Sequence, residues 1–507
     1  MFTIKFAKNK VKVEISDLEN KINQWDIPKN LYDYNDFDLE DDGRIEYLDQ
    51  SNIGLHIVNH PFSFYLYRKD SGERLFDTTH SRESSNPSHH LYFAKNFIQI
   101  STALPENHYS YGFGERYSSL RLKKGKRVLW AADPSNGNPV GGESNDNYYS
   151  SIPNFITINP NSLNAYGALM LNSSPMEILV EEDYLTYKMT SGSLEMYVFN
   201  GPRPKEIIMQ MQQTIGMPII SDFSSLNWQG NLVTSVPNRD IVSLHQLLLS
   251  QDKPYKFPLV DMWIDYDIPI EESLYNFKDL QDEISSLREN NHRILSYSRS
   301  PLSKNYQIFN VAQNKTVCIQ NENKEIFYGK TSYGNVCFLD YLSPNALSFV
   351  KNYKIYNKEH NRTATELILT MNEPTQDCNG ECDEKNRSEL KLPYVPGGIN
   401  LEKNTLPLKA KQYGGDINPK NNILLNTHNI YSLQEAKTFY TAMSDNGVNR
   451  PLLFSRSFFP GMQQYAGKWL GYLEGSWDGL RLSMIQTMNF NVQFNKFIFY
   501  RFMVTLT

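Results

Sequence analysis

The sequence predicts a multi-domain β + α/β protein: an N-terminal β-sandwich followed by strand–helix units that build a parallel sheet, open or closed into a barrel. Three observations carry this. Up to about residue 220 the chain is a series of short runs alternating apolar and polar residues, separated by turn clusters, as in strands with one buried face. After about residue 225, short apolar runs alternate with stretches of helical spacing, the pattern of βα units. The 507 residues, 40% hydrophobic and 13% aromatic, suffice for large cores and, as a prior, for roughly two to four domains.

The elements follow in order. The opening Met1-Phe-Thr-Ile-Lys-Phe alternates and predicts a first strand. Lys10-Val-Lys-Val-Glu-Ile, Gly54-Leu-His-Ile-Val, Phe62-Ser-Phe-Tyr-Leu-Tyr, Phe97-Ile-Gln-Ile and Tyr166-Gly-Ala-Leu-Met-Leu predict further strands, with turns at Asp41-Asp-Gly and Lys69-Asp-Ser-Gly. Residues 203–216 predict a helix, with Pro204 at its start and Gly216 as its stop. Four later apolar runs predict parallel strands: Phe257-Pro-Leu-Val-Asp-Met-Trp-Ile-Asp, His292-Arg-Ile-Leu-Ser-Tyr, Glu366-Leu-Ile-Leu-Thr-Met and Arg450-Pro-Leu-Leu-Phe-Ser. Helices are expected over 279–290, 343–356, 432–446 and 477–487. The Lys/Asn/Glu-rich segments around 377–390 and 402–421 read as surface insertions.

Composition excludes several function classes. A formal charge of −6 and a pI near 6.0 lack the basic footprint of a nucleic-acid binder. Mean hydropathy is −0.52, and no stretch approaches the roughly 20 apolar residues of a membrane span. The most apolar late run, 497–506, is interrupted by Arg501. The start lacks the apolar core of a secretory signal, which makes the cytoplasm the default compartment. Four cysteines (Cys318, Cys337, Cys378, Cys382) fit either a reducing compartment or one or two bridges in a secreted enzyme. Asn-x-Ser/Thr sequons stand at Asn172, Asn314, Asn361 and Asn386.

Polar residues cluster where each parallel strand ends: Asp265 and Asp267, 296–300, 370–373 and 455–457. In a (β/α)8 barrel the chemistry is built at those C-terminal strand ends. Met371-Asn-Glu-Pro puts an amide and a carboxylate there, to bind sugar hydroxyls or move a proton, or simply to cap the next loop. Ser455-Arg-Ser puts Arg456 at another strand end, as an anion clamp or as half of a structural ion pair. In Lys468-Trp-Leu-Gly-Tyr-Leu-Glu-Gly-Ser-Trp, Trp469 and Trp477 are sugar-stacking candidates or core aromatics. There is no glycine-rich phosphate loop, no dinucleotide fingerprint, no Gly-x-Ser-x-Gly elbow and no Cys–Cys or His-x-Glu metal spacing, so no cofactor and no metal is expected.

Taken together, the segments resemble glycoside hydrolase family 31, the α-glucosidase, sucrase–isomaltase and α-xylosidase family. The resemblance runs collinearly from about residue 50 to 490. It is carried by Gly72-Glu-Arg-Leu-Phe-Asp-Thr, Tyr111-Gly-Phe-Gly-Glu-Arg, Asp133-Pro and Tyr197-Val-Phe-Asn-Gly-Pro-Arg-Pro, then by Met371-Asn-Glu-Pro, Pro393-Tyr-Val-Pro-Gly-Gly, His428-Asn-Ile-Tyr-Ser-Leu-Gln-Glu-Ala, Arg450-Pro-Leu-Leu-Phe-Ser-Arg-Ser-Phe-Phe-Pro-Gly and Met488-Asn-Phe-Asn. It implies a galactose-mutarotase-like β-sandwich over 1–222 and, over 223–507, a (β/α)8 TIM-type barrel incomplete at its C-terminal end, with an insertion near 377–421. It also implies retaining cleavage of terminal α-glucosidic bonds, which needs two carboxyl groups about 5–5.5 Å apart.

Here the chain departs from its family. Thr370, in Ile368-Leu-Thr-Met-Asn-Glu-Pro, stands where the nucleophilic Asp belongs. Tyr472, in Trp469-Leu-Gly-Tyr-Leu, stands in place of the acid/base Asp. Trp263 replaces a sugar-binding Asp, whereas Asp265 and Arg456 are retained and Asp133 matches a glycone-contacting carboxylate. Threonine does not ionise near neutrality, and tyrosine, with a reference pKa near 10, is a poor acid for a leaving sugar. Catalysis would then fall to Glu373 or Glu474, a few residues away. The resemblance thus implies an α-glucosidase-like protein with impaired or absent hydrolysis. It further implies binding of an α-linked glucoside or oligosaccharide through Asp133, Trp263, Asp265, Arg456 and Trp469. The alternatives are a pseudoenzyme binding carbohydrate or a protein partner, or a truncated gene product. The family also implies that a secretory or lysosomal origin stays open.

Overall fold

The computed structural model describes residues 1–17, 25–32, 50–79, 91–220, 229–232, 259–265, 293–357, 362–383, 390–413, 422–492 and 498–503. The N-terminal half is antiparallel throughout. A six-stranded sheet runs in the order Phe2–Phe6, Lys10–Ile15, Leu194–Phe199, Ala165–Met170, Ile152–Ile158, Tyr109–Gly114. A five-stranded sheet runs Tyr92–Ala94, Phe97–Ala103, Tyr184–Met189, Met176–Val180, Gly125–Leu129. Successive strand residues point to opposite faces. The sequence alternation therefore becomes one shared core, in which Val11, Val13, Phe155 and Met196 of the first sheet meet Ile98, Ile100, Ile178 and Tyr187 of the second.

The other face of the six-stranded sheet is buried as well. Ile152, Ile156, Leu169, Tyr197 and Phe199 join a second core with Ile207, Met211 and Ile215 of helix α1 (Pro204–Ile215) and with residues of the C-terminal half. All six residues of Ala165–Met170 are buried for that reason. Helix α1 starts as expected, with Pro204 in its first turn and the Glu206 carboxylate accepting from the Arg203 N–H at 3.1 Å. It stops at Gly216, whose φ of +100° suits a residue without Cβ.

In the C-terminal half seven parallel strands pair in chain order: β1 (Gln229–Leu232), β2 (Leu259–Asp265), β3 (Arg293–Arg299), β4 (Glu366–Thr370), β5 (Leu452–Ser455), β6 (Gly467–Glu474) and β7 (Ile498–Met503). The chain tail thus supplies a strand, paired with β6 from Lys468–Ile498 to Glu474–Met503. Among the described residues β1 pairs only with β2, and β7 only with β6, so no pairing closes the ring. Parity separates two apolar sets. Leu295, Tyr297, Ile368, Leu452, Phe454 and Trp469 form the barrel interior. Leu367, Leu369, Leu453 and Leu470 face outward to the core shared with helix α2 (Tyr431–Asp445). Helix α3 (Trp477–Val492) follows β6 and extends past the expected end at 487.

Two expectations are revised. The helix expected over 343–356 is α-helical only at Ala346–Phe349 and then widens into a π-turn over Val350–Lys354. The Ile355 N–H bonds the Val350 carbonyl at 3.1 Å, an i→i+5 step that lets Val350 and Ile355 enter the same core. The second surface insertion is partly core: Leu401 and Leu408 pack on Trp130 of the sandwich, whose indole N–H donates to the Leu401 carbonyl at 2.9 Å. Its leucines are outnumbered by polar residues, so composition hid them. All four cysteines are paired, Cys318 with Cys337 and Cys378 with Cys382. The helix expected over 279–290 and Asp267 lie outside the described residues.

Candidate active site

The barrel mouth follows from strand parity. Ile368 points inward, so Thr370, two residues on, does too, at the C-terminal end of β4. Thr370 is 7% exposed. Phe454 points inward, which carries Arg456 to the mouth just beyond β5. On β6 the register shifts between Trp469 and Tyr472, with Gly471 at φ +74°. That bulge lets Tyr472 pack edge-on against Trp469, centroids 5.2 Å apart, on the interior side.

Gly471 also admits Tyr149 of the sandwich: a Cβ built there would lie 2.9 Å from the Tyr149 ring. Gly471→Ala is expected to cost about 1–3 kcal/mol, from a left-handed backbone and a displaced ring. A lowered thermal midpoint checks it.

Arg456 is the hub of the mouth. Its Nε donates to Glu373 Oε2 at 3.2 Å, and Nη2 donates to Glu373 Oε1, a bidentate grip. Nη1 pairs with Asp133 Oδ2 at 3.3 Å, which ties the barrel to a sandwich loop. That loop holds Asp133 by a bond from Ser135 Oγ at 2.8 Å and one from the Gly137 N–H at 3.1 Å. The guanidinium lies 4.8 Å from the Tyr149 ring centroid.

Glu373 is completely buried. So is Asn372, whose Nδ2 donates to Ser455 Oγ at 2.7 Å and whose Oδ1 accepts from the Ser457 N–H at 3.0 Å. The Asn372-Glu373 pair holds the β4 and β5 ends together. Glu474 lies at the end of β6, exposed, against Gly141.

Beneath Arg456 sits a second buried ion pair that sequence reasoning missed. Lys468 Nζ lies 2.7 Å from Glu115 Oε2, and both side chains are fully buried. Lys468 also donates to the Arg456 carbonyl, while Ser150 Oγ donates to Glu115 Oε2 at 2.9 Å. Burial pushes the Glu115 carboxyl up to about 7 and the Lys468 ammonium down to about 8, against the mutual attraction of the pair. No local sequence signal marks Lys468. It sits beside Trp469 on β6, and the rings of Phe490 of α3 and Tyr149 each lie 5.3 Å from its ammonium.

The remaining candidates divide. Trp469 is 1% exposed, edge-on to Tyr297 within the barrel core. A stacking platform needs an open ring face, so Trp469 fills the interior instead of presenting itself to a sugar. Trp477 is 88% exposed at the start of α3. Trp263 and Asp265 fall on β2, where backbone pairing alone is described; Asp265 is its last residue. Arg299, within the polar cluster expected over 296–300, lies at the end of β3 in register with Thr370, its guanidinium 4.1 Å from the Tyr333 ring centroid. His428 stacks on Trp130 at 3.9 Å and is pushed down to about 4 by burial, so it is neutral near pH 7. Among the described residues no group of three His, Cys, Asp or Glu side chains is placed to hold a metal, and no helix is long and apolar enough to cross a membrane.

The fold is a β-sandwich leading into a parallel α/β sheet, with a charged cluster where the strands end. Residues 1–178 match the glycosyl hydrolase 31 N-terminal galactose mutarotase-like domain and residues 241–498 the glycosyl hydrolases family 31 TIM-barrel domain. The chain belongs to glycosyl hydrolase family 31. It is 28% identical over 455 residues to lysosomal alpha-glucosidase of Mus musculus, a match covering 85% of this chain and 44% of that protein. Among solved structures it resembles the glucosidase II alpha subunit (TM-score 0.74, 17% identity, 98% of this chain and 59% of that one). The GH31 dextranase of Flavobacterium johnsoniae is similar to the same degree (TM-score 0.74, 16% identity, 98% and 57%). The chain spans about half the length of these relatives.

Proposed function

We propose that this chain recognises an α-linked glucoside or oligosaccharide at its barrel mouth and hydrolyses it poorly or not at all. The observation that carries the reading is the chemistry at the two strand ends. Retaining cleavage needs a nucleophilic carboxylate and a carboxylic acid facing one glycosidic bond. The positions that resemble them hold Thr370 on β4 and Tyr472 on β6. The buried carboxylate nearest in sequence to Thr370, Glu373, is committed to Arg456 on both oxygens. A carboxylate so neutralised offers little charge to an oxocarbenium-like centre. Ligand recognition is supported by Arg456 and Asp133, which remain at the mouth, by Asp265 at the end of β2, and by kinship with a dextranase described in complex with isomaltotriose. We place the division between the two units near 222.

Calorimetry with a non-hydrolysable glucose analogue, beside turnover of an aryl α-glucoside and maltose, tests this. Saturable binding without turnover is expected. Turnover abolished by Glu474→Gln or Glu373→Gln would sink the reading, since a surviving carboxylate would then be doing the chemistry.

A further inference from the structure

Two of the four Asn-x-Ser/Thr tripeptides fall on described side chains, and their surroundings are opposite. Asn172 is 4% exposed. Its Nδ2 donates to the Ser191 carbonyl at 2.8 Å and the Ser193 carbonyl at 2.9 Å, so both amide hydrogens are in use, and Oδ1 accepts from the Ser174 N–H. Asn314 is the last residue of the helix Gln307–Asn314 and is exposed, as is Thr316. Among the described residues the Asn314 amide makes no hydrogen bond. The neighbouring Gln313, Pro344 and Asn345 are exposed too, which leaves open space around it. The backbone beneath is pinned, with Asn345 Nδ2 donating to the Lys315 carbonyl at 2.9 Å.

The second observation is redox. Both cysteine pairs are closed, and Cys318, four residues past Asn314, is bridged to Cys337 in the core. Disulfides persist in oxidising compartments, the route on which chains receive N-linked glycans.

We propose that Asn314 is an acceptor for an N-linked glycan and that Asn172, bearing the same tripeptide, is not. The donor is a lipid-diphosphate oligosaccharide. A bond forms between its anomeric carbon and Asn314 Nδ2, the anomeric carbon–oxygen bond breaks, the lipid diphosphate leaves, and Nδ2 loses one of its two hydrogens. Asn314 spends nothing on that loss, whereas at Asn172 it removes a buried hydrogen bond and places a sugar where backbone already sits. The assignment stands whether or not the barrel mouth binds sugar.

The test is the full 507-residue chain secreted from a eukaryotic cell behind an added leader, treated with peptide-N-glycosidase in ¹⁸O water and mapped by mass spectrometry. Labelled aspartate is expected at 314 and absent at 172. The label at 314 is expected to vanish in Asn314→Gln and Thr316→Ala and to survive in Thr316→Ser, which keeps the acceptor tripeptide. Secreted, folded chain unmodified at 314, or a glycan on 172, overturns the proposal.

Discussion

An Arg456→Met variant is expected to lose about 3–5 kcal/mol of stability, the cost of stranding a buried charge by removing its partner. Glu373 has no exposure at all, and both its oxygens accept from Arg456. Thr375 Oγ1, 3.3 Å from Oε1, is the other donor found there among the described residues. Methionine fills similar length without the charge, so the loss reports stranded carboxylates more than a void. Asp133 loses its ion pair in the same step, and with it the link between the sandwich loop and the barrel. A denaturant titration reads the effect. Adding Glu373→Gln to the variant should return part of it, because the completely buried charge is then gone and only Asp133 is left without its ion pair. A single variant within about 1 kcal/mol of the parent would mean that water reaches Glu373 and that Arg456 is not its main partner.

Lys468→Met is expected to show a penalty that depends on pH. Burial holds the Glu115 carboxyl near 7 in the folded chain, above its ordinary 4.5. A group whose folded value is raised stabilises fully below its unfolded value, and that contribution is lost as pH rises through the folded one. Removing the Lys468 ammonium takes away the attraction that holds Glu115 down, so its folded value climbs further. At pH 5, where Glu115 is protonated, the variant should match or exceed the parent, because a buried ammonium has been removed. At pH 8 it should be about 3 kcal/mol less stable, the cost of a stranded buried carboxyl. Thermal midpoints of parent and variant from pH 5 to 8 decide it. A penalty constant across that range would show that Glu115 does not titrate there and that the pair is not what couples β6 to the sandwich.

Much of the architecture was legible because it rests on local patterns. The alternation in Lys10–Ile15 sends Val11, Val13 and Ile15 into the sandwich core, and the helical spacing after Arg203 gives α1 with its proline start and glycine stop. Strand-end positions were legible too, since apolar runs terminate where polar residues begin: Thr370 and Arg456 both emerge at the mouth. The side-chain environments were not. Glu373 read as a spare carboxylate until Arg456, 83 residues away, was seen to occupy both its oxygens. The sequence leaves Trp469 open between sugar stacking and core, and the interior faces of β3, β4 and β5 enclose it.

The sequence by itself determined the family and the order of sandwich and barrel. These follow from residue identity and local periodicity, which are written along the chain. Only the tertiary structure decided which charges are paired. Glu115 and Lys468 lie 353 residues apart in sequence, a difference of their numbers, and 2.7 Å apart in space. Burial then decides their protonation, because desolvation and Coulomb attraction depend on distance through the fold and not on position along the chain.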